Sequence, residues 1–418
     1  MSETPQVPVR EGGHYETEVV YEVIEGPSRR RLLAAVLIVL VLLLITATWF
    51  VTTLVRPAGL PQRVTEGGMG WVRSIYGWGD TAAELLTGPV DVAVGPDGTI
   101  WTVSGKTTLV GFDPDGTLHQ LVPFERGDAD GQVVSIEGID VDDDGSIYLC
   151  DFGKNMVHVL SPDGVMELSI GIQAPTEIAV RGNRMAVASA FGIAVVTTDG
   201  ELVAQWATRG NAADQVDIPH GIAWVDDDTI IVSDTHNRRV KAYSADGRLL
   251  YIAPEAMDVA PRAGVQPGME QSADSTMTPY QLPAGMTIDA AGRAVLVDAF
   301  EFSIVAVDPE TGAITSEWGE FGAEDGKLAY PTGIDYDAAR DYYVVADTAN
   351  NRLQIIELPG SGGGLLAKAR RVLDGPLWLC SIPLLLLIIA IVLAASKRSR
   401  KRTGSETVVD ASGGAQAR

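Results

Sequence analysis

The side chains most capable of chemistry sit where short apolar runs begin or end. The stretch "SIEGIDVDDDGSIYLCD" (135–151) carries Glu137, Asp140, Asp142, Asp144 and Asp151. From Asp140 to Gly145 it has the Asp-x-Asp-x-Asp-Gly spacing at which alternating oxygen ligands around a glycine bend wrap a hard cation. Asp151 falls at the twelfth place of such a loop. Calcium is the cofactor those four acids could take; a plain strand–turn–strand junction would show the same letters. A second group lies at the starts of apolar runs: Asp91 in "PVDVAV", Glu137 in "IEGID", Glu177 in "PTEIAV", His220 in "IPHGIAW" and Thr332 in "YPTGIDY". Carboxylates, an imidazole and a hydroxyl gathered at one mouth could bind a ligand or a divalent ion. Scattered, the same acids would only solvate a surface. No residue is assigned a catalytic role.

Both groups belong to a repeat. Six units begin near residues 88, 135, 174, 218, 282 and 330. Anchored on Asp91, Gly138, Glu177, Gly221, Gly285 and Gly333, they are spaced by 47, 39, 44, 64 and 48 residues. The long spacing comes from an insertion, 254–281, rich in Pro, Met and small polar residues and without strand period. Within a unit, apolar residues alternate over short runs broken by turn residues, the mark of strands. A turn ending in Gly recurs as "DPDG" (113–116), "SPDG" (161–164), "TTDG" (197–200), "SADG" (244–247) and "PETG" (309–312), and glycine tolerates the positive φ such hairpins need. Four antiparallel strands per unit, arrayed radially, predict an all-β fold, a six-bladed β-propeller spanning 71–358. The sixth unit lacks an outer strand, and "WVRSIYGWGD" (71–80) is expected to supply it, closing the ring.

One phrase is written twice: "VSDTHNRRVKAYSADG" from Val232 and "VADTANNRLQIIELPG" from Val345. Its Asp position is filled by Ser104, Asp151, Ser189, Asp234, Asp298 and Asp347. A short oxygen-bearing side chain there can cap turn amides, as can Asn237 and Asn350. Asp151, Asp234, Asn237, Asp298, Asp347 and Asn350 are therefore read as structural turn residues.

With "IPHGIAW…IIVSDTHNRRV" and "YPTGIDY…YVVADTANNRL", the chain resembles the NHL-repeat family, the other four units being degraded. The resemblance implies a six-bladed propeller of a kind found in protein- and RNA-binding domains, in outside sensor domains of bacterial receptor kinases, and in an amidating lyase. It says little about activity. The lyase would imply three zinc-binding histidines; only His220 occupies such a position, with Val90, Glu137, Thr176, Ala284 and Thr332 at its equivalents. A lactonase-like propeller would imply Glu, Asn and Asp ligands, of which Glu137, Glu177 and Asp91 are present and the Asn ligands are not evident.

Two apolar blocks flank the repeat. Residues 32–55 and 375–396 each exceed the ~20 residues needed to span a bilayer as a helix. Arg29, Arg30 and Arg31 precede the first and "KRSRKR" (397–402) follows the second. The positive-inside tendency puts the tails, 1–31 and 397–418, in the cytoplasm and the propeller outside, joined by linkers 56–70 and 359–374. The expected localisation is the plasma membrane, multi-pass. Residues 56–374 hold 21 basic against 47 acidic side chains, a polyanion that disfavours nucleic acid as a partner. Of two cysteines, Cys150 lies in a strand and Cys380 in a span, so no disulfide is expected. The expected function is a membrane-anchored, extracytoplasmic sensor or scaffold binding a protein, peptide or glycan, without enzymatic activity. The alternative is a metal-dependent lactonase, hydrolase or lyase at the channel mouth.

Overall fold

A computed structural model describes residues 68–253 and 279–364. The two apolar blocks, both tails and nearly all of the insertion lie outside them. Among the described residues no helix is long and apolar enough to cross a membrane.

The described chain forms six four-stranded antiparallel sheets. One strand, β1 (Gly70–Ile75), precedes the first complete blade. Blade 1 follows with β2 (Val92–Val94), β3 (Ile100–Ser104), β4 (Thr108–Phe112) and β5 (Leu118–Pro123). Blade 2 holds β6 (Ile136–Val141), β7 (Ile147–Asp151), β8 (Met156–Leu160) and β9 (Met166–Gly171). Blade 3 holds β10 (Pro175–Arg181), β11 (Arg184–Ser189), β12 (Gly192–Thr197) and β13 (Leu202–Trp206). Blade 4 holds β14 (Gly221–Trp224), β15 (Thr229–Asp234), β16 (Arg239–Ser244) and β17 (Leu249–Ala253). Blade 5 holds β18 (Pro283–Ile288), β19 (Ala294–Asp298), β20 (Ser303–Val307) and β21 (Ile314–Trp318). Blade 6 has β22 (Pro331–Asp337), β23 (Tyr342–Asp347) and β24 (Arg352–Glu357), and its outer strand is β1.

The inner strands β2, β6, β10, β14, β18 and β22 each touch the next, and β22 returns to β2, so the ring is complete. A six-bladed propeller is therefore the fold. Antiparallel order sorts the connections onto two faces. The turns between second and third strands, and the links from each outer strand to the next inner one, share what is here called the upper face. The remaining hairpin turns share the lower face.

The core explains the sequence pattern. It consists of six apolar clusters, one at each blade–blade interface. A blade buries both of its sides, so its second and third strands are mostly apolar, as in the fully buried β19 and β20. Outer strands keep one side in solvent and alternate, as β5 does. The lower-face turns end on Gly116, Gly164, Gly200, Gly247 and Gly312, all at positive φ.

Closure is made by β1 pairing antiparallel with β24, from Gly70 opposite Glu357 to Ile75 opposite Leu353. Cross-chain ties reinforce it: the Ser74 and Tyr76 hydroxyls donate to Asp325, and Arg352 donates to the Tyr76 oxygen. Both described ends leave from the lower face, where the Gly70–Glu357 end of this ladder lies. Ile75 is only 4% exposed and packs in the cluster between blades 6 and 1. Ile75→Asp is expected to cost about 3 kcal/mol or more by burying an unpaired charge. Leu202→Asp, on an exposed outer-strand position, should cost about 0.5 kcal/mol or less. Thermal melts of the two variants check the difference.

Candidate functional site

The channel and the upper face around its mouth gather most of the residues singled out in the sequence. Inner strands approach closely on the axis. A Cβ on Gly333 would fall 2.2 Å from the Asp91 carboxylate, and one on Gly221 would fall 2.2 Å from the Ala284 carbonyl oxygen. Glycine at this ring position is a packing requirement, and two blades depart from it, with Asp91 and Glu177.

Two residues further along the inner strands, Asp140 and Asp335 also line the channel, a cavity of ≈ 250 Å³. These carboxylates tie one blade to the next. Asp91 accepts the Ile139 N–H (3.0 Å), Asp140 the Val180 N–H (2.6 Å), and Asp335 the Val94 N–H (2.7 Å). Each bond satisfies a backbone donor on an inner strand that has no strand partner on the channel side. The four acids come from blades 6, 1, 2 and 3; blades 4 and 5 line their half with Ala223, Gly285 and Met286.

Burial controls their protonation. It pushes Asp91 up to about 7, against hydrogen bonds from Ile139 and Val92 that favour the anion. Burial and the Asp91 charge raise Glu177 well above its usual range, so Glu177 is the protonated member of that hydrogen-bonded pair. Burial pushes Asp335 to about 6, and burial with the Asp335 charge raises Asp140 strongly.

The mouth is shaped by β-bulges. In the β6–β7, β10–β11 and β22–β23 ladders the register slips just before the ring position, leaving Glu137, Thr176 and Thr332 as the extra residues. Thr176 and Thr332 turn their hydroxyls to the next blade, donating to the Pro219 and Val90 carbonyls at 2.5 and 2.6 Å. Glu137 instead holds Lys106 (2.5 and 2.6 Å) and accepts from Ser135. Burial lowers the pKa of His220, with the nearby Glu137 opposing that shift. Asp91 and Glu177 therefore meet inside the channel, while Glu137, His220 and Thr332 stand at its rim.

The acids of the calcium-loop pattern do not converge. Asp140 is in the channel. Asp142 caps a lower-face turn, accepting the Asp144 and Ser146 N–H groups and the Tyr148 hydroxyl. Asp144 is exposed there. Asp151 ends β7 on the upper face, opposite Ile136. The spacing belongs to the hairpin between β6 and β7, whose strands carry its two ends apart. Among the described residues no group of three or more His, Cys, Asp or Glu is placed to hold a metal.

The turn aspartates clamp the incoming chain as well as their own turns. Asp234 accepts the Asp217 N–H, the Asn237 amide and the Arg239 guanidinium, with the buried Lys241 at 3.5 Å. Burial lowers Lys241 to about 8, against the attraction of Asp234. Asp347 accepts the Ala329 N–H, Asn350, Arg352 and Gln354. Asp298 takes the Gln281 and Leu282 N–H groups, and Asp151 takes those of Val134, Ser135 and Lys154. Burial opposes ionisation of Asp151, yet bonds from His158 and these amides hold it at about 2. Cys150 beside it is a free, buried thiol.

Two features of the upper face escaped the sequence reading. The outer-to-inner links repeat: "RGDADGQV", "RGNAADQV" and "FGAEDGKL" each close with a parallel bridge, Arg126–Val133, Arg209–Val216 and Phe321–Leu328. The signal was present in the glycine and the Gln or Lys five residues later. Secondly, among the described residues the exposed aromatics are Tyr76, Phe152, Phe191, Phe300, Phe321 and Tyr330. Phe152, Phe191 and Phe300 sit in turns between second and third strands, and Tyr76, Phe321 and Tyr330 in outer-to-inner links. All six are on the upper face. The exposed aliphatics of the outer strands, such as Leu118, Leu202 and Ile314, are spread around the rim instead. Phe300 packs on Tyr330 (5.6 Å) and Phe302 on Phe321 (4.6 Å).

No protein-family model matches the chain, and no curated protein does. Many solved structures resemble it in shape. A streptogramin B lyase superposes with a TM-score of 0.47 at 17% identity, covering 65% of this chain and 94% of its own. Virginiamycin B lyase from Staphylococcus aureus gives 0.46 at 16%, covering 65% and 95%. A gluconolactonase from Xanthomonas campestris gives 0.48 at 16%, covering 72% and 93%. At these values no residue role passes from them to this chain, and the fold rests on its own strand pairing.

The channel acids set a pH dependence. Asp91 and Asp335 hold their protons to about 7 and about 6 when folded, against 3.8 as the reference. The folded state thus binds more protons than the unfolded chain between those values. Their stabilising contribution is complete below about pH 4 and disappears as pH rises through 6 and 7. The melting temperature is expected to fall between pH 5 and 8. Asp91→Asn, which removes the titrating charge while keeping one acceptor oxygen, should flatten that fall.

Proposed function

We propose that the chain is a membrane-anchored, extracytoplasmic binding module of NHL type, a sensor or scaffold whose upper face receives a partner and which performs no catalysis. The observation that carries this reading is that, among the described residues, all six exposed aromatics lie on that face. Large exposed apolar groups collected on one surface mark interaction sites, and aromatic anchors dominate binding energy at such sites. The described residues at both ends, near Gly70 and Glu357, leave from the lower face, opposite the aromatics.

A second reading draws on the Asp91–Glu177 pair. A carboxyl near 7 in a polar cavity has the protonation balance of a general acid or base. On this reading the protein would be a lactonase- or lyase-like propeller, with His220 and Glu137 at the entrance. Metal analysis of the purified full-length protein, with Glu177→Gln alongside, separates the two.

The binding reading predicts that Phe152→Ser, Phe191→Ser and Phe300→Ser combined will abolish partner cross-linking in intact membranes. The melting temperature should change by only a few degrees, since these rings are exposed. Cross-linking identical to that of the parent protein would reject the aromatic face as the site.

A further inference from the structure

Resting on that reading, we infer that the partner is a cationic protein segment, an extended stretch in which Arg or Lys alternates with apolar residues. The aromatics of the upper face are interleaved with acids. Glu301 lies between Phe300 and Phe302, and Glu320, which pairs with Lys327 at 2.9 Å, precedes Phe321. The outer-to-inner links add exposed carboxylates, Asp80, Asp128, Asp130 and Asp214. Arg126 and Arg238 are exposed on this face, while other basic side chains there are committed to the fold itself. Lys106 holds Glu137, Lys154 donates to the Ala129 and Gln132 carbonyls, Arg209 pairs with Asp217, and Arg239 pairs with Asp234. The field left for a partner is therefore negative, on a chain of formal charge −24.

Charge and ring geometry select the same chemistry. A guanidinium or ammonium is attracted to an aromatic face and to a carboxylate beside it. Within the fold the same contact occurs where Arg352 lies over the Tyr76 ring at 5.8 Å. Apolar residues between the cations would cover the phenyl edges, and a negative face would speed the encounter with a basic segment. A neutral glycan would stack on the rings without using the acids, and an anionic polymer would be repelled.

The test uses full-length protein in nanodiscs of neutral lipid, with empty nanodiscs as control. Binding of a labelled Arg-Leu alternating dodecapeptide is measured by anisotropy against its Glu-Leu counterpart and a neutral chitin oligosaccharide. The Arg-Leu peptide should bind and the Glu-Leu peptide should not. Affinity should fall about tenfold between ~50 and ~300 mM salt, since exposed charges are screened. Combined Phe300→Ser and Phe321→Ser should weaken binding about tenfold, and Asp128→Asn with Asp130→Asn and Asp214→Asn should reduce both affinity and salt dependence. Melts show that each variant is folded; Phe300→Leu replaces the double variant should that fail to fold. Equal binding of the two peptides, no salt effect, or no loss in the Asp→Asn variant overturns the cationic partner. Aromatic-dependent binding of the oligosaccharide alone also overturns it, while leaving the binding reading standing. That reading falls separately, on unchanged cross-linking in the Phe152, Phe191 and Phe300 variant.

Discussion

The ring exists because its first strand pairs with its last. A blade of three strands would leave β24 with a row of unpaired amides and carbonyls on an exposed edge, and leave the apolar side chains of two interfaces half covered. Pairing β1 with β24 removes both costs at once. It also brings both ends of the described ring, Gly70 and Glu357, together on the lower face. The contact joins residues separated by nearly the whole propeller, so its ordering entropy must be offset by the interfaces on either side of it. Met69 and Leu358 pack together in one of these, and Ile75 and Leu86 pack in the other.

Inside that closed ring, the aspartate at the end of each second strand joins local turn to global fold. In blades 4 and 6 the carboxylate gathers backbone and side-chain donors from three segments, and these are the blades where the NHL-like phrase is legible. In blades 1 and 3 a serine replaces it, accepting the Thr87 and Phe191 N–H groups respectively. Blade 2 keeps the aspartate but sets His158 where Lys241 and Gln354 stand. Its ring sits 3.6 Å from Asp151 and bonds Ser169 at 2.8 Å, so a buried polar position is filled by different chemistry of similar size.

The channel and the upper face divide the labour of the molecule. The channel acids are occupied with backbone donors of neighbouring blades, and burial keeps several of them protonated near neutral pH. They stabilise the axis at the cost of a pH-sensitive interior. The upper face is built from loops that the blades hold rigid from below, which leaves those loops free to carry exposed rings and charges that contribute little to folding.

Length of repeat, strand alternation and glycine turns were local properties, and they determined the propeller, its six blades and the closing strand, because a two-residue period and a hairpin turn are set by backbone sterics. The twin phrases likewise revealed Asp234 and Asp347 as turn anchors. Which acids meet was not local. Asp91 and Glu177 are separated by 86 positions (177 − 91) and join only because ring closure brings their inner strands to one axis. Asp140 and Asp151, eleven apart in sequence (151 − 140), are carried to different places because an antiparallel strand lies between them. The aromatic face was equally hidden: six rings dispersed from Tyr76 to Tyr330 share a surface only because every blade turns its corresponding loops the same way.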